Sequence, residues 1–467
     1  MPKYLIKCDI SGIQGFIFDV PSDGAARQLK ARSFYVIAIT EIAYEYLSKQ
    51  LSLAESIYKS GGNFFAYFEA ESEEKLKQVF YDFQKEFFQE SIFPIFAYTK
   101  ATDDFKQDMQ AVARAANLAK LQKPFFTETF HFKPYQAEKW ENFTKKLVES
   151  QGFVIEERTE KGNPFSKAGF TFSLQKNNLQ FEGKILNKIP TDKDKSITEF
   201  DEITQKATGD AKLAALAIDV DNLSSLFRDK EKKEYKSNSE NLTDFFEKEL
   251  YNILKEFIQS QEIYPVFAGG DDCFLVGAWN KILNAAHIIQ DNFEKYKKEK
   301  KFDNTLSAGV VIVSPKFPMV RMAEEAENAL STAKSNDKDK ICIFGEVLSW
   351  QDFAKASEIA GKLKKFIEDN ELPRNLLHRL QSSELGFTSL QEKKAGKIYF
   401  PRIHRLYYYL RNVEKDSEAG KYLKTLFDKY KEALLNNFLH KGGENPALYV
   451  VAARWAELLT KSANKEN

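Results

Sequence analysis

Two series of short apolar runs alternate with helix-like segments along most of this chain, and a wholly helical pattern closes it. Leu5 and Ile6 begin a strand-like run that ends at Asp9, and Leu213 to Ile218 form another that ends at Asp219, 210 residues later. Gly61-Gly62 precedes the apolar run Phe64 to Phe68, as Gly269-Gly270 precedes Cys273 to Val276. Ile92 to Tyr98 leads into an alanine-rich helix from about Met109 to Lys120, as Leu306 to Ser314 leads into Met322 to Lys334. Order and spacing agree at all three places, so the chain contains an internal repeat. Each copy reads strand, helix, strand, turn, strand, helix, strand, helix. The long first helices are predicted over Ala25 to Gln50 and Leu242 to Gln259. This alternation predicts an α+β fold with two ferredoxin-like βαββαβ units, helices on one face of each sheet.

The division that follows is 1–124 for the first unit, 125–205 for an inserted small domain, 206–344 for the second unit and 345–467 for a C-terminal helical domain. Polar stretches such as Lys161-Gly162-Asn163-Pro164 read as loops within the insertion. Helices in the last part follow from Tyr422, Leu426, Tyr430 and Leu434, spaced by four, and from Leu448, Val451, Trp455 and Leu458.

Composition narrows the function classes. The 68 basic and 68 acidic side chains cancel, so the chain lacks the basic excess of a protein that grips nucleic acid unaided. Cys8, Cys273 and Cys342 are isolated, which predicts buried, reduced thiols rather than a zinc ribbon or disulfide framework. The N-terminus lacks a signal-peptide layout and no apolar run approaches a membrane span, so a cytoplasmic protein without a membrane partner is expected.

Candidate chemistry sits in the second copy. In a ferredoxin-like core the first strand and the central hairpin are neighbours, so Asp219 is expected to face Asp271 and Asp272 across one sheet edge. Three carboxylates there repel unless cations lie between them. Magnesium (or manganese) suits an all-oxygen site that bridges to phosphates. A two-ion arrangement points to phosphoryl or nucleotidyl transfer. Gly269 and Gly270 let the backbone approach a triphosphate, and Asn222 and Phe227 are placed to border a base pocket. Lys334 either neutralises phosphate charge or complements its helix end, and Asp221 either caps a helix or joins the metal set. The first copy keeps Asp9, but Asn63 and Phe64 stand where the paired acids are expected, so it is predicted not to bind metal. Its loop Ser11, Gly12 and Gln14, with Gly61, Gly62 and Asn63, either seats a second nucleotide or forms structural turns. Arg27, Lys30 and Arg32 are either phosphate contacts or an exposed basic face.

Three stretches resemble the palm polymerase/cyclase family that includes GGDEF nucleotide cyclases, and more closely the large multidomain subunit of type III CRISPR effector complexes. Asp9-Ile10-Ser11-Gly12-Ile13-Gln14-Gly15-Phe16-Ile17-Phe18 with Ala31-Arg32-Ser33 resembles that family's first palm. Asp219-Val220-Asp221-Asn222-Leu223 with Gly269-Gly270-Asp271-Asp272 resembles its second, continued by Ser307 to Val310 and Ala323 to Lys334. The resemblance implies a target-RNA-activated enzyme of antiviral defence that converts ATP to cyclic oligoadenylate, or to a related AMP-containing messenger. It implies that Asp219, Asp271 and Asp272 hold the metals with the Val220 carbonyl. It also implies partnership with other subunits of the ribonucleoprotein, through which guide and target RNA are mostly contacted. Two departures stand out. The chain begins at the palm strand and none of His131, His287, His378, His404 and His440 has an adjacent Asp, so no HD nuclease activity is expected. The family's zinc-binding cysteines are missing from the insertion, which packing alone must hold. A standalone nucleotide cyclase, or a scaffold subunit with vestigial catalysis, is the alternative.

Overall fold

The computed structural model describes residues 1–88, 90–121, 137–383, 403–414, 416–439 and 441–461. The first repeat contains β1 (Lys3–Ser11), α1 (Ile13–Ile17), α2 (Ala26–Gln50), β2 (Ser52–Ser60), β3 (Asn63–Glu69), α3 (Glu73–Gln84), β4 (Phe93–Lys100) and α4 (Phe105–Leu121). Its strands form an antiparallel sheet in the order β2-β3-β1-β4, the ferredoxin-like order. Between the repeats come α5 (Ala137–Glu149), a small sheet of β5 (Gly152–Glu156), β6 (Ser166–Lys167) and β7 (Phe170–Gln175), and α6 (Phe200–Thr204). The boundary expected at 124/125 lies outside the described residues.

The second repeat comprises β8 (Leu213–Val220), α7 (Leu223–Phe227), α8 (Lys232–Asp244), a π-helical turn Phe245–Glu249, α9 (Leu250–Gln259), β9 (Ile263–Gly269), β10 (Asp272–Ala278), α10 (Trp279–Lys300), β11 (Leu306–Val313) and α11 (Met319–Ser335). The same strand order recurs as β11-β8-β10-β9, extended beyond β11 by β12 (Lys340–Ile343) and β13 (Glu346–Ser349). The strand β13 corrects the expectation that everything from Gly345 on is helical. A two-residue turn, Phe344 (φ 55°) and Gly345 (φ 83°), folds it back onto β12. Phe is not a residue that announces a left-handed turn position, which is why the pattern hid the hairpin. Then come α12 (Trp350–Glu368), α13 (Asn375–Ser383), α14 (Ile403–Tyr409), α15 (Glu418–Phe438) and α16 (Ala447–Thr460). Leu426, Tyr430, Leu434, Leu448, Val451 and Trp455 are buried, so the spacing by three and four marks the core faces of these helices.

Both central strands are covered on two faces, which corrects the one-face expectation. Along β8 the alternate residues Ala214, Leu216, Ile218 and Val220 pack with α9, α10 and the C-terminal helices. Leu213, Ala215 and Ala217 pack with α11 and the first repeat. In the first repeat Ile6, Cys8 and Ile10 face α2 and α3, while Leu5, Phe65 and Tyr67 face α4 and Tyr235 of α8. The repeats therefore complete each other's layers: α2 reaches across to β9, and α8 reaches across to β2 through Lys232 and Lys236, which pair with Glu55. The edge strands β2 and β9 are thereby shielded from pairing with another chain. The insertion docks on α2 through rings, with Tyr35 edge-on to Trp140 and Phe34 edge-on to Phe181, and is held together internally by Phe143 stacked on Phe165 at 3.8 Å between centroids.

Candidate nucleotidyltransfer site

The register of the two sheets superimposes the repeats residue by residue. Asp9 pairs with Asn63 on β3, and Asp219 pairs with Asp272 on β10. The N–H of Ile10 donates to the Gly62 carbonyl and that of Val220 to the Asp271 carbonyl, both at 3.0 Å. Asn63 thus corresponds to Asp272, and Gly62 to Asp271. The sequence alignment of the turns is corrected by one residue: Phe64 replaces no acid and instead matches the buried Cys273. The three cysteines are all free and buried.

In the second repeat Asp219 projects beside Lys334, whose ammonium lies 2.5 Å from its carboxylate. Burial raises the Asp219 carboxyl despite this partner. Asp271 is pushed up to about 6 by burial and by the Asp219 charge. Asp272 is pushed well above the ordinary carboxylate range by burial, then by Asp271, Asp219 and Glu327. Three carboxylates share one ammonium, so their charge is uncompensated when all are ionised, and that is the electrostatic condition that favours a divalent cation. No three acidic, histidine or cysteine side chains among the described residues are already drawn together as a metal cage. The donor chemistry fits hard cations all the same: carboxylate oxygens on a glycine turn, destabilised by one another.

Asp221 belongs to neither role weighed for it. It is 1% exposed. Its carboxylate accepts from Thr305 Oγ1 at 2.8 Å, Ser307 Oγ at 2.8 Å and the Asp339 N–H at 3.0 Å. These bonds tie the end of β8 to β11 and to the loop before β12. Asn222 takes the N-cap position of α7 in a left-handed conformation (φ 53°) without a capping bond, and its Oδ1 accepts from Lys338. Phe227 packs on the Tyr235 ring, 4.6 Å between centroids, in the cluster between the repeats. Val220, which closes β8, is buried.

The first repeat reproduces the scaffold without the acids. Asp9 pairs with Lys120 at 2.6 Å and lies 3.5 Å from Lys7. Lys120 and Lys334 are each the penultimate residue of a 17-residue helix. Sequence reasoning missed Lys120, although Ala119-Lys120 and Ala333-Lys334 repeat in the same place. One acid against two lysines needs no cation. Ser11 ends β1, and Gly12 (φ 88°) begins α1 where a Cβ would stand 2.5 Å from the Ser91 carbonyl oxygen. The Gln14 side chain hydrogen-bonds Glu327 of α11, so this loop faces the second repeat. The two glycine turns meet: a Cβ on Gly61 would lie 3.8 Å from the Gly269 carbonyl oxygen and from Gly270. Arg27, Lys30 and Arg32 form no exposed basic face. Lys30 and Arg32 are buried, Arg32 donates to the Phe16 carbonyl, and Arg27 pairs with Glu199.

Comparison with known proteins agrees with this geometry. A family model described as Cas10/Cmr2, second palm domain, matches residues 212–342, and one for Csm1 subunit domain B matches residues 2–146. The CRISPR system single-strand-specific deoxyribonuclease Cas10/Csm1 (subtype III-A) of Methanocaldococcus jannaschii is 25% identical, covering 78% of this chain and 62% of its own length. Its counterpart from Streptococcus thermophilus is 24% identical, covering 91% of this chain and 65% of its own. The chain thus spans less than two-thirds of these relatives. A Csm1-Csm4 cassette in complex with AMPPNP superimposes over 98% of this chain and 70% of that one, with a TM-score of 0.74 at 18% identity. One in complex with cA3 does so over 99% and 70%, with a TM-score of 0.71 at 20% identity. The chain resembles the large palm-domain subunit of type III CRISPR effector complexes, with an α+β fold of two ferredoxin-like palms, an insertion and C-terminal helices.

Proposed function

We propose that this chain is the nucleotidyltransferase subunit of a type III CRISPR antiviral complex and joins AMP units from ATP into cyclic oligoadenylate or a related AMP-containing messenger. The observation that carries this reading is the asymmetry of the paired palms: three mutually repelling carboxylates in one, a single lysine-neutralised acid at the same register in the other. The relatives solved with AMPPNP and with cA3 support the substrate and product classes.

In this reading Asp219, Asp271 and Asp272, with the Val220 carbonyl, hold magnesium or manganese. Bound there, the ions would acidify an attacking hydroxyl and offset charge on the departing pyrophosphate. The residues of the chain do the remainder. Asp272 would serve as a ligand in its ionised form, which its burial disfavours when no cation is bound. Lys334, released from Asp219, turns to the triphosphate as a point charge. Gly269 and Gly270 admit the phosphates close to the backbone. Across the interface, Ser11, Gly12, Gln14 and Asn63 border the place where a second nucleotide presents its 3′-hydroxyl. That oxygen attacks the α-phosphorus, the bond to pyrophosphate breaks, and the hydroxyl proton leaves to solvent. Phe227 serves the palm interface in this scheme, and Asn222 remains on the nucleotide side.

The complex itself is part of the proposal. A Csm4-like subunit is the nearest partner, guide and target RNA act mostly through the assembly, and the cytoplasm is the compartment. No helix among the described residues is long and apolar enough to cross a membrane. The test is to incubate the chain, alone and assembled with matched target RNA, with labelled ATP and magnesium, and to weigh the products. AMP-containing oligomers from the assembly, abolished by Asp271→Ala with Asp272→Ala while assembly persists, are expected. No product from either preparation would overturn the reading. Product from the isolated chain at the same rate would favour a standalone cyclase.

A further inference from the structure

The geometry points to Lys30 and Tyr58, both on the first palm, as positioning residues for the Gly269–Asp272 hairpin of the second. The inference rests on the reading of that hairpin as catalytic and assigns two residues that touch neither metal nor, in this geometry, the reacting atoms.

The base of the hairpin is irregular. On β10, Phe274 faces Phe267 and Leu275 faces Pro265, so Val266 is an extra residue on β9. A bulge in an edge strand re-aims the residues that follow it, here the segment that ends in Gly269. Proline has no N–H to give, and the Pro265 carbonyl receives Lys30 Nζ at 3.0 Å. One residue earlier the Tyr264 hydroxyl donates to the Ala26 carbonyl at 2.7 Å. Two buried bonds from α2 therefore fix the bulge. Lys30 is 2% exposed, and no carboxylate pairs with it among the described residues. Burial lowers its ammonium to about 7, helped by Lys188. A buried amino group held by one carbonyl is a poor device for stability whether or not it is protonated, since an apolar side chain of similar volume would fill the space at less desolvation cost. Its value lies in where it holds β9.

The tip is held from the same palm. Along β2, Ser56 faces Ala66 and Tyr58 faces Phe65, so Ile57 is extra and Tyr58 directly follows a second bulge. The Tyr58 hydroxyl lies 3.6 Å from the position a Cβ on Gly270 would take. Burial pushes this phenol up to about 12, with a hydrogen bond to Ser60 opposing the rise and the Asp271 charge adding to it. With Gly61 against Gly269, the first palm covers the tip of the turn while Lys30 anchors its base.

The experiment uses the full chain in its complex, with Lys30→Met and Tyr58→Phe. It measures kcat, KM for ATP, the magnesium concentration for half-maximal rate, and resistance to urea. Lys30→Met is expected to lower kcat about tenfold with KM little changed, because displacement of a catalytic turn costs rate rather than ground-state binding. Its urea midpoint is expected to be equal or higher. Tyr58→Phe removes one oxygen, should keep the fold, and is expected to raise the half-maximal magnesium concentration several-fold. A fall in kcat that tracks a fall in stability in both variants would make these residues structural and overturn the inference. Unchanged kcat and magnesium dependence in both, with an active wild type, would also overturn it while leaving the functional reading intact. A wild type that makes no product overturns that reading and this inference with it.

Discussion

Neutralising one acid of the Gly269–Asp272 turn should make the metal-free protein more stable. In Asp271→Asn the side chain keeps its shape and loses its charge. The Asp271 carboxyl rises from 3.8 to about 6. That is about two units, or ~3 kcal/mol of strain in the ionised form at ~1.4 kcal/mol per unit. A partly buried amide retains some desolvation cost, so the net gain expected at pH 8 is ~1–2 kcal/mol. The sign follows from linkage. The folded-state value lies above the unfolded one, so the stability from holding this proton is fully present below about pH 4 and is lost as pH rises through about 6. At pH 5 the wild type recovers ~1.4 kcal/mol, and the advantage of the variant should nearly vanish. Urea unfolding of chelator-treated protein, followed by tryptophan fluorescence at pH 8 and pH 5, reads both numbers. Magnesium or manganese should then stabilise the wild type more than the variant. A variant less stable than wild type at pH 8, an advantage that does not shrink at pH 5, or equal stabilisation of both by metal would refute the electrostatic account of this site.

Asp221→Ala should behave oppositely to Asp271→Asn, costing ~3–5 kcal/mol, because it strands the donors of Thr305, Ser307 and Asp339 in the interior; urea midpoints of the two variants should move in opposite directions. Lys334→Met should raise the KM for ATP about tenfold, whereas Lys120→Met, which leaves Lys7 beside Asp9, should change it less than threefold; steady-state kinetics of the assembled complex decides. Gly12→Ala should destabilise by ~2 kcal/mol or more, since its φ of 88° and the Ser91 carbonyl oxygen both exclude a side chain; thermal unfolding of the chain measures it.

The repeat was legible because it is written in apolar periodicity, which β8 and β1 carry plainly. The pairing of Asp219 with the glycine turn followed from the βαββαβ frame alone. What was hidden has physical causes. Asp221 could be read as a helix cap or a ligand because sequence cannot show that Ser307 and Thr305, more than 80 residues away, consume its oxygens. Lys30 and Arg32 could be read as phosphate contacts or an exposed basic face because their burial depends on where β9 and α1 pack against α2. Phe227 looked like a base-pocket wall until the second face of the first sheet claimed it. Tyr58 carried no motif, and only the bulge at Ile57 aims it at the other palm. The one-residue error in aligning the two turns arose because Gly-Gly is common to both while the hairpin register is not.

That register explains why one palm alone is acidic. The first turn places Gly61 (φ 59°) and Gly62 (φ 84°) both in left-handed conformations, the φ pattern of a type I′ hairpin, which favours glycine at both central positions. In the second turn only Gly270 (φ 68°) is left-handed, so the next position is free to carry Asp271, as in a type II′ hairpin. A side chain at Gly62, the equivalent of Asp271, would also start 2.9 Å from Val36 Cγ1 and 3.0 Å from Ile13 Cδ1. The first palm is therefore poorly placed to acquire the second acid by substitution at that residue alone: its φ of 84° strains any side chain, and the Val36 and Ile13 side chains would have to give way. Its two glycines are kept by turn geometry and packing, whereas in the second palm the same two positions hold Gly270 and Asp271. The Gly-Gly pairs thus mark a hairpin in each palm one position out of register, and the catalytic reading depends on the residue that the turn type permits after Gly270.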